Sequence, residues 1–306
     1  MGMDHETMNV SVLILTFNEA KALPRCLAAL EWCDDILVVD SGSTDGTVAI
    51  AESAGARVVY RRFDDFASQR NFGLTSGGLR HEWVLHLDAD EVVTPEFQQS
   101  LRDLSPASGT DAYRVPSKLM LNETWIRYAG MYPTYQVRLG HRERLRFKQV
   151  GHGQREDLPP ERVGTFEVPY LHYNFSHGLA NWLRKHVKYA EDEADLLVRM
   201  RKGEHQAADP VMRGDATSRR RALKRLANRM PLLLRPVARF FYILIWRRGF
   251  LDGRYGVLYA LMLSVYEAMI AVLAAERLMQ HSQRRAVSSA GIRLRSNAGD
   301  DLGGRS

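Results

Sequence analysis

Two carboxylates bracket one small residue in Leu87-Asp88-Ala89-Asp90-Glu91, directly after an apolar run over residues 83–87. Strand alternation aims one carboxylate of such a pair inward and the other along the rim. That geometry suits a hard divalent cation whose remaining positions are filled by diphosphate oxygens. An ordinary helix-capping turn is the plainer account of an acidic strand end. Thr94-Pro95-Glu96 weighs against it, because it already supplies the next helix with an N-cap, a first-turn proline and an early acid.

Three further clusters could carry chemistry. In Thr16-Phe17-Asn18-Glu19, Asn18 either caps the following helix or meets a ligand. Asp40-Ser41-Gly42-Ser43-Thr44-Asp45-Gly46 lacks the Gly-x-Gly-x-x-Gly turn of a dinucleotide site and the Gly-Lys-Ser/Thr of a P-loop, so both of those readings fall. In Ser68-Gln69-Arg70-Asn71, Arg70 either reaches phosphate oxygens or stays a solvated surface arginine.

Positioning these clusters requires a βα framework. Short apolar runs alternate with helical stretches from about residue 10 to residue 115, the pattern of βαβ units and a largely parallel sheet. Strands are predicted over 10–15, 36–39, 57–60 and 83–87, with helices over 20–30, from residue 47 to about 55, over 66–74 and over 179–200. Ligands in such sheets bind outside the carboxyl ends of the strands, so Asn18, Glu19, Asp40, Asp88 and Asp90 converge on one rim. Residues 113–173 read as loops and short strands forming the far wall of a cleft.

The composition is that of a foldable chain. With 306 residues, 45% hydrophobic and 25% charged, it exceeds the size at which disulfides are needed and is neither a disordered nor a polytopic membrane sequence. The two cysteines, Cys26 and Cys33, allow no disulfide framework and no four-ligand zinc site, which makes reduced thiols in the cytosol the default. The net charge of +6 is unevenly spread. Residues 213–254 hold twelve Lys and Arg against two acids, a local +10 that leaves −4 to the rest of the chain.

Taken in this order and spacing, Thr16-Phe17-Asn18-Glu19, Asp40 through Thr47, Gln69-Arg70-Asn71 and Leu87 through Glu91 resemble the family 2 inverting glycosyltransferases of the GT-A type. Within that family the resemblance is to the lipopolysaccharide-core β-1,4-glucosyltransferase-like and exopolysaccharide-biosynthesis subgroup. It covers about residues 9–180, and Arg247-Arg248-Gly249-Phe250-Leu251-Asp252-Gly253-Arg254 is similar to the subgroup's C-terminal part. The resemblance implies an α/β GT-A fold, Rossmann-like, with a mostly parallel sheet flanked by helices and a basic, apolar helical appendage. It implies domains over 8–205 (catalytic) and 206–280 (membrane-associating), and composition marks 281–306 as a disordered tail.

By the same resemblance, Thr16, Asn18, Glu19, Asp40, Ser41, Arg70 and Asp88 would hold a nucleotide-sugar donor, expected to be UDP-linked, with Asp40 on the base and Glu19 on the ribose. Asp90, with Asp88, would hold Mg2+ or Mn2+. Charge built up on the departing diphosphate would be stabilised by that metal, helped by Arg70. Inversion then needs one base on the opposite face of the sugar to take the acceptor hydroxyl's proton. The family often carries this base in a Glu-Asp or His-Glu pair; Glu156 aligns with that position and Asp157 is its neighbour, although Arg155 precedes Glu156 in place of a His, and a surface salt bridge between Arg155 and Glu156 is the competing account. Trp125, Tyr128, Tyr132, Tyr135 and Arg138 could line the acceptor side, or simply pack in the core.

Cationic residues beside Phe, Tyr and Trp in the 213–254 segment suit an anionic bilayer surface, each base adding on the order of 1 kcal/mol. Residues 257–275 have transmembrane length, but Glu267 lies mid-span, which favours an interfacial or re-entrant helix pair over a true span. A soluble helical subdomain, packed on the sheet or on a second subunit, is the alternative. The expected setting is therefore cytoplasmic, peripherally bound to the inner face of the membrane through residues 213–275, with a lipid-linked saccharide acceptor and no nucleic acid. Two other classes compete with this reading. A haloacid-dehalogenase-like phosphatase would use Asp88 as nucleophile and Asp90 beside it, but that motif normally opens its fold and three βα elements precede it here. A nucleic-acid arm over 213–254 fits the charge, but Phe241-Tyr242-Ile243-Leu244-Ile245-Trp246 is too apolar for a phosphate-tracking groove.

Overall fold

The computed structural model describes residues 8–150, 153–202 and 230–300, with side chains as far as residue 281. Residues 213–229 of the basic segment, and Gly151 and His152, lie outside the described residues. The chain divides into two compact units, one comprising residues to Leu179 together with Leu251–Tyr255, the other Ala180–Phe250 together with the chain from Gly256.

In the first unit the βα pattern is realised nearly as predicted. It begins with β1 (Val10–Thr16), α1 (Leu23–Ala28), β2 (Ile36–Asp40), α2 (Thr47–Ser53) and β3 (Arg57–Tyr60). Then come α3 (Phe66–Ser76), β4 (Trp83–Asp88), β5 (Glu91–Val92) and α4 (Pro95–Arg102). Thr94 is the N-cap of α4, its Oγ1 accepting from the Phe97 N–H at 3.1 Å, so that helix start is indeed served without the aspartates. β3, β2, β1 and β4 lie side by side in that order and are all parallel. Chain order reverses about β1, which puts a topological switch point between β1 and β4.

Alternation along these strands fills both faces. Val12, Ile14, Val38, Leu85 and Leu87 pack with Leu23, Leu27, Phe97 and Leu101 on one side; Leu13, Leu37, Val39 and Val84 pack with Ala67 and Leu74 of α3 on the other. Helix α3 sits close on β1 at Gly73, where an added Cβ would fall 2.6 Å from a Leu13 methyl.

Residues 113–173, expected to hold loops and short strands, do hold short ones, but two of the strands there are long. Here β6 (Ala112–Leu121), β7 (Thr124–Trp125) and β8 (Thr134–His141) continue the sheet, β8 pairing antiparallel with β4 and with β6. Pro116 and a register shift between Tyr113 and Arg114 interrupt the alternation that would reveal these strands in the sequence. The chain goes on through β9 (Phe147–Val150), β10 (Gly153–Glu156), β11 (Val163–Thr165) and β12 (Tyr170–His172). Strands β9 and β10 form a separate hairpin, while β12 runs parallel to β6 and antiparallel to β5.

The second unit is helical: α5 (Leu179–Arg201), α6 (Arg235–Phe241) continued by a π-helical turn over Tyr242–Trp246, and α7 (Gly253–Asp300). The division by contacts places most of α5 here, not with the catalytic part as the 8–205 boundary has it. Ala190, Ala194, Leu197 and Val198 of α5 bury against Ile270 and Ala274 of α7, which is the reason. Helix α7 also continues past residue 280, where composition predicts disorder; no proline interrupts it, and a nucleated helix propagates cheaply. Among the described residues, one stretch, Gly249–His281, is long and apolar enough to cross a membrane by length and composition.

Candidate active site

The loops after β1 and β2 are stitched together by side chains from the predicted clusters. Asn18 takes a left-handed backbone (φ 56°), which asparagine tolerates. Its N–H donates to Ser43 Oγ at 2.8 Å, and its Oδ1 accepts from the Thr44 N–H at 2.8 Å. Asn18 is thus a staple between loops, not a helix cap. Asp40 is buried, and its carboxylate accepts from Thr16 Oγ1 (2.9 Å), the Gly42 and Ser43 N–H groups (both 2.8 Å) and Ser43 Oγ (2.5 Å). These four bonds fill its acceptor positions, so contact with a nucleobase requires the Ser43 hydroxyl to turn away. Ser41 Oγ accepts from Gln69 Nε2 at 3.0 Å. Glu19 Oε2 lies 2.7 Å from His177 Nε2, a pairing 158 residues apart that the sequence does not announce.

Asp88 ends β4 at the switch point and is gripped from two sides. Arg70 Nη2 donates to its Oδ1 at 2.6 Å, and Arg138 Nη2 to its Oδ2 at 2.8 Å. Both arginines are buried, at 1% and 3% exposure. Arg138 also donates to Glu91, itself fully buried, and Glu91 Oε2 accepts from the Asp88 N–H at 3.0 Å. Burial opposes ionisation of Asp88, but Arg138 and then Arg70 outweigh it and hold its carboxyl well below the usual range. Arg70 is therefore not a solvated surface residue; its Nε and Nη1 are buried without a hydrogen-bond partner among the described residues, a costly state for a guanidinium.

Arg138, expected either on the acceptor side or in the core, lies buried in this network. Its charge is committed to Asp88 and Glu91, and its Nε to Tyr170 Oη at 3.3 Å. Tyr135 is also engaged elsewhere, donating to Glu167 at 3.3 Å with the Arg114 guanidinium over its ring. Trp125 packs edge-on against Tyr132, with Lys118 and Arg127 over its face.

Asp90 differs from Asp88 in having no arginine. Its Oδ2 lies 3.6 Å from His172 Nε2, at the end of β12. Burial works against the His172 imidazolium, but Asp90, with Glu91 and Asp88 behind it, overcomes burial and pushes the ring up to about 9. A cavity of about 260 Å³ opens beside Asp90, lined also by Lys21, Arg25, Asn122, Glu123 and Tyr173. Among the described residues no three His, Cys, Asp or Glu side chains form a complete metal cage. A single carboxylate with a neighbouring imidazole fits a cation that draws its other ligands from phosphate and water. Asp88 has each oxygen held by one arginine and keeps further acceptor capacity, its side chain being 36% exposed, whereas Asp90 has its oxygens open to the cavity side.

The predicted bases sit on the β9–β10 hairpin. Asp157 is exposed and pairs with Lys148 Nζ at 2.8 Å. Glu156 is half-buried and registers opposite Phe147, whose ring lies under the Arg70 guanidinium and against His86. Neither acid lines the Asp90 cavity. Glu91, His172 and His177 were missed by sequence reasoning. The one available signal was Glu91 itself, a third acid in Asp88-Ala89-Asp90-Glu91 that a buried strand end tolerates only with a cation beside it.

Residues 11–137 match the model of the family described as glycosyl transferase family 2. An uncharacterized glycosyltransferase of Rickettsia bellii is 36% identical over 108 residues, 35% of this chain and 36% of that one. The lipopolysaccharide core biosynthesis glycosyltransferase LpsC of Rhizobium meliloti is 36% identical over 104 residues, 32% of this chain and 38% of its own. The match thus spans little more than a third of the length of either relative. Among solved structures, glucosyl-3-phosphoglycerate synthase from Mycobacterium tuberculosis aligns with a TM-score of 0.43 at 17% identity, over 63% of this chain and 80% of that one, too distant to bear on substrates here. The family match takes in Thr16, Asp40, Arg70, Asp88 and Asp90 and ends one residue before Arg138, so that residues 11–137 of this chain are similar to the family 2 glycosyltransferases.

Proposed function

We propose that the chain transfers a sugar from a UDP-linked donor, with inversion and with Mg2+ or Mn2+, to a hydroxyl of a lipid-linked saccharide at the cytoplasmic membrane face. The observation that carries this reading is the division of labour between Asp88 and Asp90. Two buried arginines fix Asp88 at the switch point, while Asp90 is left beside a cavity with an imidazole as its neighbour.

In this account the loops stapled by Asn18 and Asp40 form the nucleoside wall, with Thr16, Glu19 and Ser41 on it. Asp90 holds the cation, and His172 joins it only when the incoming cation displaces the proton of its ring. When bound, the cation supplies positive charge against the departing diphosphate. The Arg70 guanidinium adds a fixed positive field next to Asp88 and needs no reorganisation during the reaction. Arg138 and Glu91 keep the Asp88 carboxylate oriented. Glu156 takes the proton of the acceptor hydroxyl, reached by movement of the β9–β10 hairpin, and Asp157 keeps its surface pairing with Lys148.

The membrane reading is supported by the second unit. Leu233, Phe241, Ile245, Trp246, Phe250, Leu261 and Val272 are all at least half exposed, an apolar surface larger than a soluble helical unit usually leaves open. Glu267, the charge that argued against burial in lipid, is neutralised by Arg235, whose Nε lies 2.6 Å from its Oε1. An interfacial helix pair follows, with the bases near residue 247 facing anionic headgroups. The reading is tested by a panel of nucleotide sugars incubated with Mn2+ and a membrane lipid extract, scored by nucleotide release and by label entering lipid. Release from one UDP-sugar, lost on chelation, supports it; no release from any donor, with hydrolysis of p-nitrophenyl phosphate instead, replaces it with the phosphatase.

A further inference from the structure

The turn that leads into α7 belongs to the first unit, and one residue accounts for that. Asp252 accepts three successive backbone N–H groups, from Arg127 at 3.1 Å, Tyr128 at 2.9 Å and Ala129 at 2.8 Å. These donors open a tight turn over residues 127–131 that has no helix before it to satisfy them, so the carboxylate caps the turn from a distant part of the chain. The same turn is closed by Met131 N–H to Tyr128 O at 3.1 Å and by Tyr132 N–H to Arg127 O at 3.2 Å. Residues on either side of Asp252 shape the approach: Arg248 and Gly253 both take positive φ, 59° and 62°.

The capped turn is continuous with the cavity wall. Ile126, fully buried, donates its N–H to Leu119 O at 2.8 Å, and β6 pairs with β7 through Met120 with Trp125 and Leu121 with Thr124. Met120, Asn122 and Glu123, in and beside this hairpin, line the cavity next to Asp90. Tyr255 Oη makes a second contact, 3.5 Å from Asn122 Nδ2.

We propose that Asp252 is a positioning residue for the acceptor side of the cleft, fixing the 126–131 turn and through it the wall formed by Met120, Asn122 and Glu123. This rests on the glycosyl-transfer reading. Removing one carboxylate oxygen as an acceptor, as in Asp252→Asn, turns an NH2 group toward backbone donors and releases the wall, whereas Asp252→Glu keeps the charge and restores part of the contact.

The test uses the full chain, wild type, Asp252→Asn and Asp252→Glu. Amide hydrogen exchange is followed over residues 119–131 and over β1 and β4, UDP binding with Mn2+ is measured by calorimetry, and transfer from radiolabelled UDP-glucose is titrated with a membrane lipid extract. Asp252→Asn is expected to speed exchange over 119–131 by about tenfold or more while β1 and β4 stay protected. It raises the extract concentration for half-maximal transfer by about tenfold with UDP binding unchanged, and Asp252→Glu recovers part of both. Unchanged exchange over 119–131 overturns the proposal, as does a loss of UDP binding equal to the loss of acceptor dependence, which marks a general structural role. If the wild type transfers nothing, the glycosyl-transfer reading from UDP-glucose fails, and the exchange pattern still decides whether Asp252 holds the wall.

Discussion

Arg70 donates to Asp88 at 2.6 Å from inside helix α3, with 1% of its surface exposed. A buried arginine aimed at a strand-end carboxylate is a commitment: removing it leaves Asp88 beside Arg138 alone and opens a space under the sheet. Arg70→Ala is expected to cost about 3 kcal/mol of stability, because breaking one arm of a buried ion pair leaves its partner uncompensated. Urea unfolding checks this, and a loss below about 1 kcal/mol would show that the pair holds nothing.

Asp90 and Asp88 should respond differently to neutralisation. Asp88→Asn strips two buried arginines of their partner and should lower both stability and nucleotide release. Asp90→Asn removes a carboxylate whose ionic contact among the described residues is with His172 at 3.6 Å, so stability should fall by less than in Asp88→Asn. Nucleotide release should fall about a hundredfold or more. Thermal unfolding and a nucleotide-release assay on the same preparations separate the two effects.

How much of this was legible beforehand depends on sequence distance. The strands and loops of residues 10–92 repeat a local pattern, so their carboxyl-terminal clusters could be placed on one rim from spacing alone. Arg138 could not, because its partners Asp88 and Glu91 lie on strands 50 and 47 residues away and nothing local distinguishes a network arginine from a cleft arginine. One hint was present: Arg138 stands between Val137 and Leu139, both buried, where a charge must find a partner. His172 is a similar case, meeting Asp90 only because β12 inserts between β6 and β5. The helical unit was half legible, since exposed Trp246 and the basic residues show in the sequence but the Arg235–Glu267 pairing does not.

Acid stability should carry the signature of Asp35. This buried carboxylate sits at the opposite end of the strands from the site, accepting from Ser11 Oγ (2.5 Å), the Arg80 N–H (2.7 Å) and Arg57 Nη2 (2.8 Å). Burial raises its pKa, but the Arg80 N–H, Ser11 and Arg57 outweigh burial and bring it to about 2. A depressed folded value means the stabilisation is complete above the unfolded pKa near 4 and is lost as pH falls toward 2. Between pH 5 and pH 2 the wild type should lose on the order of 2 kcal/mol more than Asp35→Asn, measured as denaturant midpoints across that window.

Membrane attachment should depend on the apolar face of the second unit. Trp246 is 80% exposed, so Trp246→Glu should leave the thermal midpoint unchanged. It should weaken sedimentation with phosphatidylserine-containing vesicles by about tenfold. Equal sedimentation of the two proteins would move the membrane contact elsewhere, and salt-sensitive retention on DNA or RNA without vesicle binding would favour the nucleic-acid alternative.

The central claim is that Asp90, beside an Asp88 fixed by arginines, handles a metal-bound nucleotide-sugar donor. Nucleotide release from a donor panel in the presence of Mn2+, for the wild type and Asp90→Ala, tests it most directly. The account predicts release from a UDP-sugar by the wild type, abolished by chelation and reduced at least about a hundredfold in a fully folded Asp90→Ala. Full release by Asp90→Ala would contradict it.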